Sequence, residues 1–170
     1  MRGQRSSSYA GAACPIGRAS SVVGDRWILL IMRNATLGMT RFDEFRSELG
    51  IADNILSNRL GRLVETGLLT KVPYRDESGR ARHEYRLTAA GVDLLPVLNA
   101  LAAWGEAHTS PAEPAEPMRV LHSVCGHTLD ACQFCENCGR EAVRSEIAWL
   151  RPWRSPEPVL IADAVPEPAR

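Results

Sequence analysis

Residues 51–87, IADNILSNRLGRLVETGLLTKVPYRDESGRARHEYRL, read as a helix followed directly by a β-hairpin. From Asp53 to Glu65, Leu56, Leu60, Leu63 and Val64 recur at helical spacing and gather on one face, which predicts a stripe turned to the core. The other face carries Asn54, Ser57, Asn58 and Arg62 around Gly61, with Arg59 beside them. Such hydrogen-bonding side chains suit base edges and phosphates in a major groove. Gly67 stops the helix. Leu68–Val72 and His83–Leu87 are β-prone runs around a polar tip at Ser78-Gly79. Arg75, Arg80 and Arg82 lie on or beside that tip, where guanidinium groups can meet phosphate or enter a narrow minor groove. A helix of this composition backed by such a hairpin implies binding of double-stranded DNA.

Upstream, Thr40–Gly50 supplies the first helix of a helix-turn-helix, with Phe42, Phe45 and Leu49 as its buried stripe. Thr40 and Asp43 have the spacing of a capping box, and Gly50 suits the stop. Gly24–Arg33 reads as a helix capped by Asp25, apolar nearly all round and therefore central scaffold. Downstream, Thr88 can cap a long helix from Ala89 to about His108. Its residues Val92, Leu94, Leu95, Val97, Leu98, Leu101 and Trp104 form a band wide enough to need a partner helix, so a homodimer is expected. Pro96 should kink or split that helix, because its ring removes one hydrogen bond and crowds the preceding turn.

Cys14-Pro15-Ile16, Gly24-Asp25-Arg26-Trp27, Arg41-Phe42, Leu56–Leu60, Gly67-Leu68, Tyr74, Glu84–Thr88, Gly91, and Leu95–Leu98 through Trp104-Gly105 together resemble the HxlR-type regulators, winged helix-turn-helix proteins related to the MarR regulators. The resemblance runs from about Cys14 to Gly105. It implies a dimeric bacterial DNA-binding protein without enzymatic activity. A symmetric dimer presents two reading helices to successive major grooves, which predicts an inverted-repeat operator, and a repressor is the expected role. It departs from the family at Ala52, where Ser is frequent, and at Ser78–Arg82, where a Pro-rich stretch commonly precedes the wing arginine. Several such regulators sense thiol-reactive species through a cysteine at the position of Cys14. The residues supply their own reason, since Pro15 in a first helical turn places Cys14 near an N-cap, where the helix dipole favours a thiolate, and Arg18 follows one turn on. The competing reading of Cys14 is a packing residue beneath the dimer helix, and a small-molecule effector is the other candidate signal.

The 170 residues carry no net charge, yet the distribution is uneven. Residues 1–108 hold 14 Arg or Lys against 11 Asp or Glu, and residues 109–170 hold 6 against 9. DNA affinity must therefore come from the placement of individual arginines. No apolar run reaches membrane-spanning length and the amino terminus lacks the apolar stretch of a signal peptide, so the expected location is cytoplasmic with no membrane partner.

Residues 109–118 form a Pro and Glu linker, after which one pattern occurs twice: His122-Ser-Val-Cys125-Gly and Cys135-Glu-Asn-Cys138-Gly. The two-residue gap lets two ligands grip one ion, and two such knuckles make a tetrahedral site for structural Zn²⁺ with His122, Cys125, Cys135 and Cys138 as ligands. Cys132 or His127 could replace His122, and a reversible disulfide from Cys132 to Cys135 or Cys138 is the redox alternative. A metal-responsive regulator with this cluster as its sensor is the second functional reading, and a partner-binding role for the module is also open. An enzyme is disfavoured, because the chain has no HExxH, no Gly-rich phosphate loop and no paired carboxylates near the ligands.

The expected class is mainly α with a small β-wing (α+β). It comprises a flexible arm (1–8), a winged helix-turn-helix and dimerisation domain (9–108), the linker (109–118), a zinc-ribbon-like module (119–150) with a short helix over 141–150, and a mobile Pro-rich tail (151–170).

Overall fold

The computed structural model describes residues 13–111, 115–130 and 133–165. The arm at 1–8 lies outside them.

At the centre is α2 (Arg26–Thr36), whose N-cap Asp25 accepts hydrogen bonds from the backbone N–H groups of Trp27 (2.9 Å) and Ile28 (3.3 Å). Ile28, Ile31, Met32 and Ala35 are buried from it, and α1 (Pro15–Val23) packs alongside. The helix-turn-helix is α3 (Phe42–Leu49) followed by α4 (Asp53–Glu65). Capping of α3 falls to Glu44, not to the expected Thr40/Asp43 pair. Its carboxylate accepts from both Thr40 and Arg41 backbone N–H at 2.9 Å, because the N-cap is Arg41, one residue later than expected, and the third helical position is therefore Glu44. Gly50 then turns left-handed at φ 58°, freeing the chain to reverse into α4.

Leu56, Leu60 and Leu63 of α4 are wholly buried, and at roughly 2 kcal/mol for each leucine they anchor the helix to α2. The helix ends with Gly67 at φ 73° and Leu68 N–H bonded to the Leu63 carbonyl, which leads directly into β1 (Leu69–Arg75). β1 pairs antiparallel with β2 (Ala81–Leu87) from Leu69↔Leu87 to Arg75↔Ala81, and Tyr85 N–H reaches the Thr40 carbonyl, tying this wing to α3.

The helix expected over 89–108 is split. α5 (Ala89–Val92) is capped by Thr88, and α6 (Leu95–His108) restarts with Pro96 in its first turn, where the missing N–H costs nothing. Gly91 is required at the crossing with the wing, because a Cβ there would lie 2.1 Å from the Leu68 carbonyl oxygen. α6 buries Leu95, Leu98 and Asn99, and leaves Val97, Leu101 and Trp104 about half exposed.

The C-terminal part differs most from expectation. β3 (Arg119–His122), β6 (Ile147–Leu150) and β7 (Val159–Leu160) form a three-stranded antiparallel sheet in the order β3-β6-β7. β4 (Phe134–Cys135) and β5 (Arg140–Glu141) form a minimal hairpin. In place of the helix expected at 141–150, the chain runs through β5, a 3₁₀ turn (Arg144–Glu146) and β6. Ile147, Ala148, Trp149 and Leu150 are all buried, as suits a strand covered on both faces, whereas a helix of that length would turn some of them to solvent. The expected mobile tail is also docked as far as residue 165. Ile161 is buried, Ala162 N–H bonds to the Thr36 carbonyl at 2.7 Å, and Val165 N–H bonds to the Leu87 carbonyl at 2.9 Å. Cys135, Ile147, Trp149 and Ile161 belong to the same contiguous core as Ile28, Leu56 and Leu98. Among the described residues no helix is long and apolar enough to cross a membrane.

Candidate nucleic-acid interface and metal centre

The buried leucines of α4 turn Asn54, Ser57 and Asn58 outward together, and Gly61 one turn on has open space where a side chain would stand. The two arginines assigned to this face sit differently. Arg59 is half-buried, and its Nη2 donates to Asp25 Oδ2 at 2.9 Å. That hydrogen bond holds the Asp25 carboxyl below the usual aspartate range, against the opposing effect of burial. Arg59 Nε is buried without a partner. Arg62 is exposed, but its guanidinium donates to the Ser21 carbonyl on α1. Arg59 thus braces α4 against α2, and Arg62 must release Ser21 to meet a ligand. Neither partner lies nearby in sequence, so no local pattern marks these contacts.

In the wing, Asp76 organises the tip. Its carboxylate accepts from Ser78 Oγ (2.6 Å), Ser78 N–H and Arg80 N–H (3.0 Å each), and Arg82 Nε lies at 3.3 Å. The Ser78 hydroxyl is the main reason its carboxyl is held low. Arg75 Nη1 donates to the Gly79 carbonyl at 2.8 Å, and Arg80 extends from the turn. Arg41, which its sequence context marks as family-like but not as a DNA contact, also stands here. Its exposed guanidinium lies over the Tyr74 ring (5.0 Å) and 3.7 Å from Glu84, between the start of α3 and the wing.

Cys14 is exposed at the N-cap of α1 with Pro15 next, and its carbonyl accepts from Arg18 N–H at 3.1 Å. Arg18 Nη1 donates to the Ala13 carbonyl at 2.7 Å.

The second cluster is built by two like turns. Cys125 and Gly126 N–H both bond to the His122 carbonyl (3.2 and 2.7 Å), Gly139 N–H bonds to that of Cys135 (2.8 Å), and both glycines are left-handed, at φ 74° and 67°. One ligand atom from each of His122, Cys125, Cys135 and Cys138 lies within 4.8 Å of all the others. His122 Nδ1 is 3.4 Å from Cys125 Sγ and from Cys138 Sγ, and Cys125 Sγ is 3.5 Å from Cys135 Sγ. A tetrahedral zinc centre with Zn–S of about 2.3 Å has edges of roughly 3.8 Å, so these four donors can hold a metal with small adjustments. His127 is exposed and outside the four-donor group, its Nδ1 on the Cys125 carbonyl at 3.1 Å, and Cys132 lies outside the described residues. The backbone N–H of His127 draws the Cys125 thiol down to about 6, while its hydrogen bond to Cys125 pushes Cys138 up to about 11, so a thiolate is favoured at Cys125.

Behind the cluster stands an arrangement that the spacing of the ligands does not reveal. Wholly buried His122 places Nε2 3.2 Å from Glu146 Oε2, and Arg140 grips the same carboxylate with both terminal nitrogens (2.8 and 2.9 Å). Arg140 is the main reason the Glu146 carboxyl is held down at about 2. A charged carboxylate on Nε2 favours the tautomer with its proton there, leaving the Nδ1 lone pair toward the sulfurs.

Comparison with known proteins adds to this geometry. Residues 22–113 match the HxlR-like helix-turn-helix family. Over 126 residues the chain is 44% identical to the uncharacterized HTH-type transcriptional regulator Rv3095 of Mycobacterium tuberculosis, covering 74% of this chain and 78% of that protein. The crystal structure of PA1607, a candidate transcription factor, is 39% identical with a TM-score of 0.64, covering 79% of this chain and 92% of that one. The redox regulator HypR in its reduced form is 27% identical with a TM-score of 0.51, covering 55% of this chain and 92% of that one.

Proposed function

The chain belongs to the HxlR-like helix-turn-helix family, and from that premise we propose that it is a bacterial transcriptional repressor that binds double-stranded DNA as a homodimer. The observation that carries this reading is the outward face of α4. Asn54, Ser57 and Asn58 are presented together while the opposite face is locked into the core, so the helix can enter a major groove without rearranging. Arg41 at the start of α3 and Arg75, Arg80 and Arg82 in the wing are exposed and are the proposed contacts to backbone phosphates. A second copy of the chain is the proposed cover for Val97, Leu101 and Trp104 on α6, an apolar strip on the helix that follows the wing. Two reading helices related by a two-fold axis favour an inverted repeat with half-sites about one helical turn apart.

Two inputs are proposed. Exposed Cys14 at the start of α1 is the candidate for thiol-reactive signals, a reading supported by the structural likeness to the redox regulator HypR. The His122/Cys125/Cys135/Cys138 cluster is proposed to hold structural Zn²⁺, since its donor set and spacing suit that ion and all four positions are supplied by protein.

Sequence preference tests the main reading. A DNA fragment selected from a random library by the wild-type protein should bind Asn58→Ala and Ser57→Ala at least about fivefold more weakly, with far-UV dichroism unchanged, because each good base contact is worth roughly 1–3 kcal/mol. Undiminished affinity and preference in both variants would remove α4 as the reading helix.

A further inference from the structure

The 3₁₀ turn Arg144–Glu146 makes two different sets of contacts at its two ends. At one end, the Glu146 carboxylate meets Nε2 of the metal-ligand histidine, and the Glu146 carbonyl accepts from Ser123 N–H at 2.7 Å. At the other, half-buried Arg144 donates to the Val92 carbonyl at 3.1 Å, at the break between α5 and α6, and to the Ala162 carbonyl through Nε (3.0 Å) and Nη2 (2.6 Å). Ala162 N–H in turn holds the Thr36 carbonyl at the end of α2. Directly after the turn, β6 pairs Ile147 with His122 and sends the Trp149 indole N–H to Asn99 Oδ1 of α6, a buried bond of 3.0 Å. Two side chains two and three residues from Glu146 therefore grip the α5–α6 break and the middle of α6. The opposite face of α6 is the exposed strip of Val97, Leu101 and Trp104.

We propose that metal loading of the His122/Cys125/Cys135/Cys138 cluster is transmitted through this turn to the dimer helix, so that a thiophilic divalent cation, Zn²⁺ in the first instance, controls the DNA-binding competence of the dimer. The inference rests on the zinc reading given above and deepens it from a structural to a regulatory role. Among the described residues of segment 122–141 the regular structure beyond the end of β3 is two two-residue strands, with Leu129 and Cys135 as its core anchors, so an ion that ties the four ligands together adds much to its rigidity. With the ion on Nδ1, the His122 ring is fixed and its Nε2–H is aimed at Glu146, which locks the turn. Without it, only weak sulfur hydrogen bonds link His122 and the three thiols, and the Arg144 and Trp149 anchors hold α5–α6 to a looser support. The mates of two α6 helices set the spacing of the two reading helices, and DNA tolerates little change in that spacing. Linkage is reciprocal, so operator DNA must raise zinc affinity by the same factor by which zinc raises operator affinity.

Hydrogen exchange on the full-length chain tests this, with the protein stripped by chelator in the presence of reductant and compared before and after one equivalent of Zn²⁺. Zinc stoichiometry is measured on the same samples. The expected result is one Zn²⁺ per chain and slowing of exchange by about tenfold not only in residues 119–150 but also in residues 89–108. Arg144→Ala should still bind one Zn²⁺ and protect 119–141, while protection of 89–108 is lost. Trp149→Phe provides the same comparison if Arg144→Ala does not fold. Protection confined to 119–150 in the wild type would overturn the coupling and leave the zinc site standing. A chain that takes up no stoichiometric Zn²⁺ would overturn the zinc reading itself, and the coupling with it.

Discussion

Arg59→Met separates the sequence reading of Arg59, a DNA contact, from its place in the structure, a brace between α4 and α2. The substitution keeps most of the apolar stem and removes the 2.9 Å bond to Asp25. A charge-assisted hydrogen bond contributes about 1.5–3 kcal/mol. Arg59 and Asp25 keep 31% and 28% of their side-chain surface in solvent, so screening reduces the expected loss to roughly 1–2 kcal/mol. Asp25 retains its two backbone bonds at the start of α2, which limits the damage. For a chain of this size the loss corresponds to a Tm lower by about 2–8 °C in a thermal scan at neutral pH. The pH dependence follows from the same bond. The folded pKa of Asp25 lies below its ordinary 3.8, so the contribution is present above that value and lost as pH falls through the lower folded one. Wild type and Arg59→Met should therefore converge in Tm in that acidic range. Operator binding across a salt series gives the other half of the test. A brace leaves the dependence of log K on log salt unchanged, whereas loss of a phosphate contact flattens it by about one unit. An unchanged Tm together with a flatter salt dependence would refute the brace and return Arg59 to the DNA face.

Two further outcomes follow from the proposed function. Leu101→Glu places a charge in the middle of the exposed strip on α6 and should convert the dimer to monomer in sedimentation velocity at micromolar concentration, with operator affinity falling by at least about tenfold as the two half-sites uncouple. A variant that remains dimeric would move the interface elsewhere. Cys14→Ser should bind the operator as tightly as wild type under reductant and keep that affinity after mild thiol oxidation, while wild type loses it. Equal loss in both proteins would transfer the redox response to the cysteines of the second cluster.

Where the determining interactions are local, the sequence was legible. The leucine spacing of α4 and the stop at Gly67 mark a helix that the structure bounds at Asp53 and Glu65, and Asp25 caps α2 from the residue before it. The two like turns were legible for the same reason, since a two-residue gap and a following glycine are a local instruction for a turn that brings two donor side chains together. What escaped depends on distant partners. β6 is a strand because β3, 25 or more residues earlier, and β7 flank it, and Ile147–Leu150 alone could be read as part of a helix. Glu146 is 24 residues from His122, and no spacing rule joins a histidine to the carboxylate that orients it. The docked segment at 159–165 escaped because prolines mark an extended chain without saying whether a groove receives it.

The same distinction bears on how the DNA face works. Arg59, Arg62, Arg75 and Arg82 all contact acceptors of their own chain: Asp25, the Ser21 carbonyl, the Gly79 carbonyl and Asp76. In a protein without net charge, diffuse attraction to DNA is weak, and arginines that wander in solvent would each lose side-chain entropy on binding. Arginines already steadied on wing and helix have less freedom to lose, and the exposed Arg62 and Arg82 would exchange one hydrogen bond for another at a phosphate in the proposed complex. A face of this kind gains little by charge and depends on being presented in the right place. In the proposed regulator its performance would then rest on the supports beneath it: the Asp25 brace under α4, the α6 strip proposed to meet a second copy, and the turn at Arg144–Glu146 that joins α6 to the His122/Cys125/Cys135/Cys138 cluster.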